Sequence, residues 1–230
     1  MSYCRSVYRN EFDTQAADLL HKAKLAERLG KSYPTIRDSV FQCAVLLLVA
    51  ALETYLKLLV EAWVQKLKSK NFGTKTPDHA RAFIAAKKLD RAFALYHYDG
   101  NEKALYTSLM AESSLWPFLA GTPQLPAFFN GKALHDGAAY PTSKNIKKLF
   151  ARLGVQDMIA RLSRNLSRDV EVLIDSLQSI RTALAHSSPP PLTLSDVERH
   201  LTDCKALVGS IDRIFWAHVK AHGGSDCWTA

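Results

Sequence analysis

Four cysteines in 230 residues, with no Cys-x-x-Cys pair among them, provide neither a disulfide framework nor a thiolate metal site. They stand at Cys4, Cys43, Cys204 and Cys227. Cys43 sits inside an apolar run, where a buried thiol in a reducing compartment is expected. The opening Met-Ser-Tyr-Cys-Arg-Ser-Val-Tyr-Arg-Asn lacks the apolar core of a signal peptide, and the longest uncharged apolar run, Cys43 to Leu52, is too short to cross a bilayer. Neither secretion nor membrane insertion is expected, and the cytoplasm is the expected location. A glycine-rich phosphate loop, a nucleophile elbow and a His-Glu-x-x-His pair are all missing, which gives the common nucleotide-binding and hydrolase readings no foothold. No two strand-like runs flank a tight turn, and there is no internal repeat, low-complexity segment or sustained heptad series. These absences exclude β architectures, solenoids and coiled coils.

What remains is helical rhythm. The 47% hydrophobic, 23% charged make-up is ordinary for a globular protein of this length, so one domain spanning residues 1–230 is expected. Phe12 to Leu29 reads as an amphipathic helix ended by Gly30, and Asp38 to Lys68 as the central helix of the fold. Asp78 is placed to cap a helix running to Tyr96, and a shorter helix is predicted over Glu102 to Leu109. Between Ser113 and Pro141 the prolines and glycines predict a long insertion with little regular structure. Thr142 or Ser143 then caps a short helix ending near Gly154, followed by another turn or two. Leu166 to His186 reads as one long helix stopped by Ser187-Ser-Pro-Pro-Pro. Ser195-Asp-Val-Glu198 has the pattern of a capping box opening a last helix that ends at Gly223-Gly224. The predicted fold class is all-α: a bundle of four to five long helices with short helices and a long irregular loop.

One residue breaks the pattern. At about 100° per residue Arg181 falls on the apolar stripe of Val170, Leu173, Leu177 and Leu184. A guanidinium there must meet a carboxylate or phosphate, or lie where the stripe opens into a cleft or subunit interface. A structural ion pair satisfies the same requirement. His186 lies about 140° around and roughly 7.5 Å along an ideal helix from Arg181, so the two converge only through a helix end or across a twofold axis. Together a His and an Arg supply what RNA cleavage needs without metal: proton transfer at the 2′-hydroxyl and leaving 5′-oxygen, and charge stabilisation on the phosphorane.

Arg181-Thr-Ala-Leu-Ala-His186 resembles the Arg-x4-to-6-His motif of HEPN domains. Two further stretches resemble the branch called RiboL-PSP-HEPN: Ala50-Ala-Leu-Glu-Thr-Tyr-Leu-Lys-Leu-Leu-Val and Asn145-Ile-Lys-Lys-Leu-Phe-Ala-Arg-Leu-Gly-Val-Gln-Asp. They cover most of the chain from residue 40 onward, while the first 35 residues and the Ser113 to Pro141 loop match nothing in that pattern. The resemblance implies an all-α homodimer with Arg181 and His186 of both copies lining one cleft. It also implies metal-independent endoribonuclease activity, often in toxins and defence systems with a cognate antitoxin or partner protein, and no cofactor. The family usually has Asn or another polar residue after the Arg and often Gly after the His; here stand Thr182 and Ser187. Thr182 retains a hydroxyl for a phosphate oxygen. Glu53, in the Leu-Glu-x-Tyr-Leu stretch, is a candidate partner for Arg181 or support for the cleft, or else pairs locally with Lys57.

The net charge of +8 favours polyanionic partners. Lys144, Lys147 and Lys148, with Arg161, Arg164 and Arg168, form either an RNA-binding face or solvated basic clusters. His218 and His222 stand one turn apart near Asp226 and Cys227, but nothing else frames a metal site, and none is expected. The alternatives are a non-catalytic HEPN module that binds RNA or a protein, and a helical adaptor whose middle loop makes the contacts.

Overall fold

The computed structural model describes residues 2–138, 140–185 and 191–228. Among them are ten α-helices, three short 3-10 turns and no strand. The centre is α2, Pro34–Ser69, whose buried residues include Phe41, Val45, Leu48, Leu52, Tyr55, Leu59, Trp63 and Leu67. Pro34 occupies the first turn, where its missing N–H costs nothing. At the other end Asn71 is left-handed, with Phe72 N donating to the Leu67 carbonyl and Asn71 N to that of Lys68, so the last carbonyls are satisfied. One 18-residue window of α2 has a mean hydropathy of 2.1 and meets the length and composition of a membrane span; 56% of that window is buried in the fold. That is also how the core helix of a helical bundle looks.

Against α2 pack α1, Val7–Glu27, and α10, Leu194–Gly223, which also pack on each other. α1 begins five residues before the apolar rhythm does, because the Ser6 hydroxyl accepts from Arg9 N. α10 opens on a capping box of Thr193 and Asp196 rather than Ser195 and Glu198. Both pairs fit the pattern, but Glu198 reaches across to Lys24 at 3.2 Å instead. Phe215 of α10 meets Trp63, Phe150 and Trp228 edge-on at 5.7–6.1 Å, tying α10 to α2, α7 and the chain end.

α3, Asp78–Asp99, and α4, Glu102–Ala111, form a hairpin that leaves the core: α4 buries nothing, and Tyr98, Tyr106 and Met110 are exposed. Asp78 is the first helical residue, not the cap, and its carboxylate takes Arg81. The segment expected to be irregular contains two short helices, α5, Leu115–Leu119, and α6, Gly131–His135. Leu115, Phe118, Phe129 and Leu134 are buried, so tertiary packing orders what local propensity does not. Gly131 is required there: it donates its N–H to Glu61 Oε2 at 2.7 Å, and a Cβ would strike that carboxylate.

α7, Ser143–Arg152, is capped by Thr142 and closed by Gly154, with buried Phe150 and Val155 on either side of the turn. α8, Met158–Leu166, ends on left-handed Ser167; Asp169 then caps α9, Val170–Ala185, by accepting from the Glu171 and Val172 amides. The long helix expected from Leu166 therefore starts four residues later, at Val170, and a tight turn separates it from the short helix α8.

Cys43 corrects the sequence reading. It is exposed, because the buried stripe of α2 runs through Phe41, Ala44, Val45 and Leu48 and leaves residue 43 on the opposite side. There it lines an apolar groove with Ile36, Val40 and Leu47. Cys4 is also exposed, whereas Cys204 and Cys227 are buried and burial raises both thiols, Cys204 to about 12. Titration of the folded protein with an aromatic disulfide reagent is expected to give two fast thiols and the remaining two only after denaturation. A single fast thiol would place Cys43 in the core after all.

Candidate functional site

The buried stripe of α9 comprises Val170, Leu173, Ile174 and Leu177, and it thins to half-burial at Ile180, Arg181 and Leu184. Arg181 thus sits where the stripe leaves the core. Its guanidinium lies 4.7 Å from the centre of the Tyr140 ring, which is itself 52% exposed. The backbone beneath Tyr140 is fixed by Asn145 Nδ2, which donates to the Tyr140 carbonyl at 3.0 Å, while Gln178 Nε2 donates to the Pro141 carbonyl at 3.4 Å. α9 and the segment leading into α7 therefore hold the cation and its aromatic platform together. Among the described residues Arg181 makes no hydrogen bond and no ion pair. Stacking engages the face of the guanidinium and leaves its in-plane N–H groups available to an oxyanion.

Thr182 is exposed beside it. His186 and Ser187 lie outside the described residues. Glu53 does not pair with Arg181: its carboxylate takes Lys57 Nζ at 2.7 Å, one turn along α2. The i,i+4 neighbour wins because both side chains belong to one helix face.

The six basic residues divide. Lys147, Arg164 and Arg168 line one recess of about 650 Å³, but Asp157, Asp169 and Glu171 line it too, and Arg168 already pairs with Asp203 at 2.5 Å. Lys144, Lys148 and Arg161 are exposed away from it. The recess shared by Lys147, Arg164 and Arg168 is therefore of mixed charge.

The sequence reading missed a polar centre inside the core. Asp212, wholly buried on α10, accepts from the Tyr3 and Ser6 hydroxyls at 2.6 and 2.5 Å, from Ser6 N at 3.1 Å and from the Tyr55 hydroxyl at 3.1 Å. Tyr3 in turn accepts from Arg9. Burial and the Asp212 carboxylate push Tyr3 up to about 12. The only sequence signal was an acidic residue among Leu207, Val208, Ile211, Ile214 and Phe215.

Three histidines are held neutral. Burial, then the neighbouring His222, lowers His218 to about 4; burial lowers His135, and burial followed by Arg199 lowers His200. No group of three or more His, Cys, Asp or Glu side chains suited to a metal occurs among the described residues. The unfolded chain, with His near 6.5, takes up protons first as pH falls. Stability attributable to these groups is therefore present above about pH 6.5 and is lost as the pH drops toward the folded values, for His218 about 4. Thermal unfolding should show a Tm several degrees lower at pH 5 than at pH 7.5. His218→Phe, which keeps the stacking on Phe215, should flatten part of that slope; an unchanged Tm across the range would refute the assignment.

Compared with protein families, the chain matches the model described as RiboL-PSP-HEPN over residues 14–217, close to nine-tenths of its length. The comparison with curated proteins gave no match, and neither did the comparison with solved structures.

Proposed function

This chain belongs to the RiboL-PSP-HEPN family, a HEPN domain family generally made of RNases or RNA-binding proteins, and we propose on that footing that it is a metal-independent endoribonuclease. The observation that carries the reading is Arg181: a half-buried guanidinium at the open end of a core stripe, seated on Tyr140 and making no ion pair among the described residues. In a cleft shared by two copies, Arg181 binds the scissile phosphate and stabilises charge as the 2′-oxygen attacks phosphorus. His186 moves the proton from the 2′-hydroxyl or to the departing 5′-oxygen, and the Thr182 hydroxyl supports a phosphate oxygen. The P–O5′ bond breaks, leaving a 2′,3′-cyclic phosphate and a 5′-hydroxyl. In the cell such an enzyme acts on cytoplasmic RNA as a toxin or defence effector, restrained by an antitoxin or partner protein.

The test is cleavage of a labelled mixed-sequence RNA in excess EDTA by wild type, Arg181→Ala and His186→Ala, each checked for helicity and dimerisation. Cleavage to 2′,3′-cyclic phosphate ends, lost in both folded variants, is the expected result. No cleavage of several RNAs by the wild type would leave the other reading, a non-catalytic HEPN module that binds RNA or a protein.

A further inference from the structure

Between α1, the end of α8 and the middle of α10 lies a recess of about 420 Å³ whose walls include Arg9, Asn165, Lys205, Gly209, Ser210 and Arg213. Three of these side chains are cations, and among the described residues no carboxylate lines the recess. Asp212 is one residue from Arg213 but is turned into the core, where its oxygens are taken by Tyr3, Ser6 and Tyr55. Asp203 is taken by Arg168. Lys205 and Arg213 form no ion pair among the described residues. Arg213 lies 5.4 Å from the centre of the Tyr3 ring, the same ring whose hydroxyl accepts from Arg9 Nη1 at 2.7 Å. Of the three cations only Arg9 has a carboxylate in range among the described residues, Asp13 at 3.8 Å, so the recess gathers more positive charge than its surroundings balance, which is unfavourable unless an anion completes it.

The recess is also built rather than accidental. Arg9 is a largely buried side chain, 12% exposed, and its Nε has no hydrogen-bond partner; the nearest carboxylate oxygen, on Asp13, is 3.8 Å away. Its guanidinium lies across Gly209, where an added Cβ would sit 2.9 Å from Nη2. Glycine in the middle of a 30-residue helix costs about 1 kcal/mol against alanine, so residue 209 gives up helix propensity where Arg9 crosses. Lys205, Gly209 and Arg213 recur every fourth residue, which places a gap between two cations on one helix face. On the opposite wall Asn165 Nδ2 donates to Ser210 Oγ at 3.2 Å, leaving the serine proton for an incoming oxygen.

We propose that this recess binds a phosphate group, with Arg9 and Arg213 as charged forks, Lys205 as a mobile cation and Ser210 as a neutral donor. Arg9 precedes residue 14, where the family match begins, while Asn165, Lys205, Ser210 and Arg213 lie within it, so one of the charged forks comes from outside the matched segment. Its partners are distinct from Arg181 and Tyr140, and it stands whether or not the chain cuts RNA. The phosphate comes either from a free monophosphate or from the backbone of single-stranded RNA, and the charge pattern is common to both.

The decisive variant is Gly209→Ala, which leaves the net charge unchanged and displaces Arg9. Calorimetric titrations at constant ionic strength would use inorganic phosphate, adenosine 5′-monophosphate and a 2′-O-methylated oligouridine that cannot be cleaved, with the full-length protein. Helicity and thermal unfolding would confirm that each variant folds. Binding by the wild type is expected to weaken at least about tenfold both in Gly209→Ala and in Lys205→Ala/Arg213→Ala. It should remain in the charge-matched control Arg91→Ala/Lys103→Ala, whose residues are exposed elsewhere. Loss seen with phosphate and the mononucleotide identifies a free-phosphate site, and loss seen with the oligomer alone identifies the RNA backbone. If no probe binds the wild type, if Gly209→Ala binds every probe like the wild type, or if the control loses as much, the recess is only part of a diffuse basic surface and the proposal fails. Because no probe is cut, these outcomes are independent of the nuclease assay.

Discussion

Asp212→Ala is expected to destabilise the protein by about 3–5 kcal/mol, the range for breaking a buried charged network from one side. The carboxylate accepts four hydrogen bonds, from the Tyr3, Ser6 and Tyr55 hydroxyls and the Ser6 amide, on two other segments, and it is completely buried. Alanine removes the acceptor and leaves the Tyr55 hydroxyl and Ser6 donors with no route to water. The loss exceeds that of any single donor: Tyr55→Phe removes one bond while the other three remain, and should cost about 1 kcal/mol. Asp212→Asn should fall between, because one amide oxygen still accepts while the amide NH2 faces donors. For a chain of this length the alanine variant should lose about 6–20 °C in Tm, measured by circular dichroism alongside urea unfolding. A loss below about 1 kcal/mol would mean that α1 detaches and its donors hydrate without disturbing the rest, so that the network ties down only the first helix.

This centre shows where sequence reading stops. Asp212 is 206 and 209 residues from Ser6 and Tyr3, and 157 from Tyr55. No local pattern records such a meeting; only the odd acid on an apolar stripe hints at it. By contrast, α2 and α10 were legible from their periodicity because each must present one continuous apolar face, and the cap of α7 was legible to within one residue, Thr142 or Ser143, because a cap hydroxyl acts within three residues. The middle segment failed for the reason Asp212 did. Its prolines and glycines state correctly that no long helix forms, but the burial of Phe118 and Phe129 depends on α2 and α3, which no window of the segment contains. Cys43 was misread because a run apolar on every side does not say which side faces inward. Ser167 hid a helix end because the left-handed position usually announced by glycine is filled there by serine.

At the candidate site the same division holds. Arg181 was conspicuous on its stripe, and its position at the stripe's open end follows from periodicity. Tyr140 did not, since it comes from an irregular connection 41 residues earlier. For Glu53 the family resemblance offers Arg181 and the i,i+4 spacing offers Lys57, and the structure takes the local partner.

If the nuclease reading holds, Arg181→Ala and His186→Ala should each lower kcat/KM for RNA by about 10²–10⁴, and the double variant should be little worse than either single one, since residues acting on one transition state are not additive. The informative substitutions are milder. Arg181→Lys keeps the charge but loses the planar fork, so it should recover binding more than rate, with KM near the wild-type value and kcat still depressed. Tyr140→Leu leaves both reacting groups in place and removes the ring 4.7 Å from the guanidinium. It should cost about tenfold, mostly in kcat, because a guanidinium free to rotate off its platform still finds the phosphate but not the transition-state geometry. A purely structural role for Tyr140 would instead lower Tm and leave the kinetics of the folded fraction unchanged. Single-turnover cleavage with RNA in trace amounts, set beside the unfolding curve of each variant, separates the two. Unaltered rates in folded Arg181→Ala would remove this residue from the chemistry altogether.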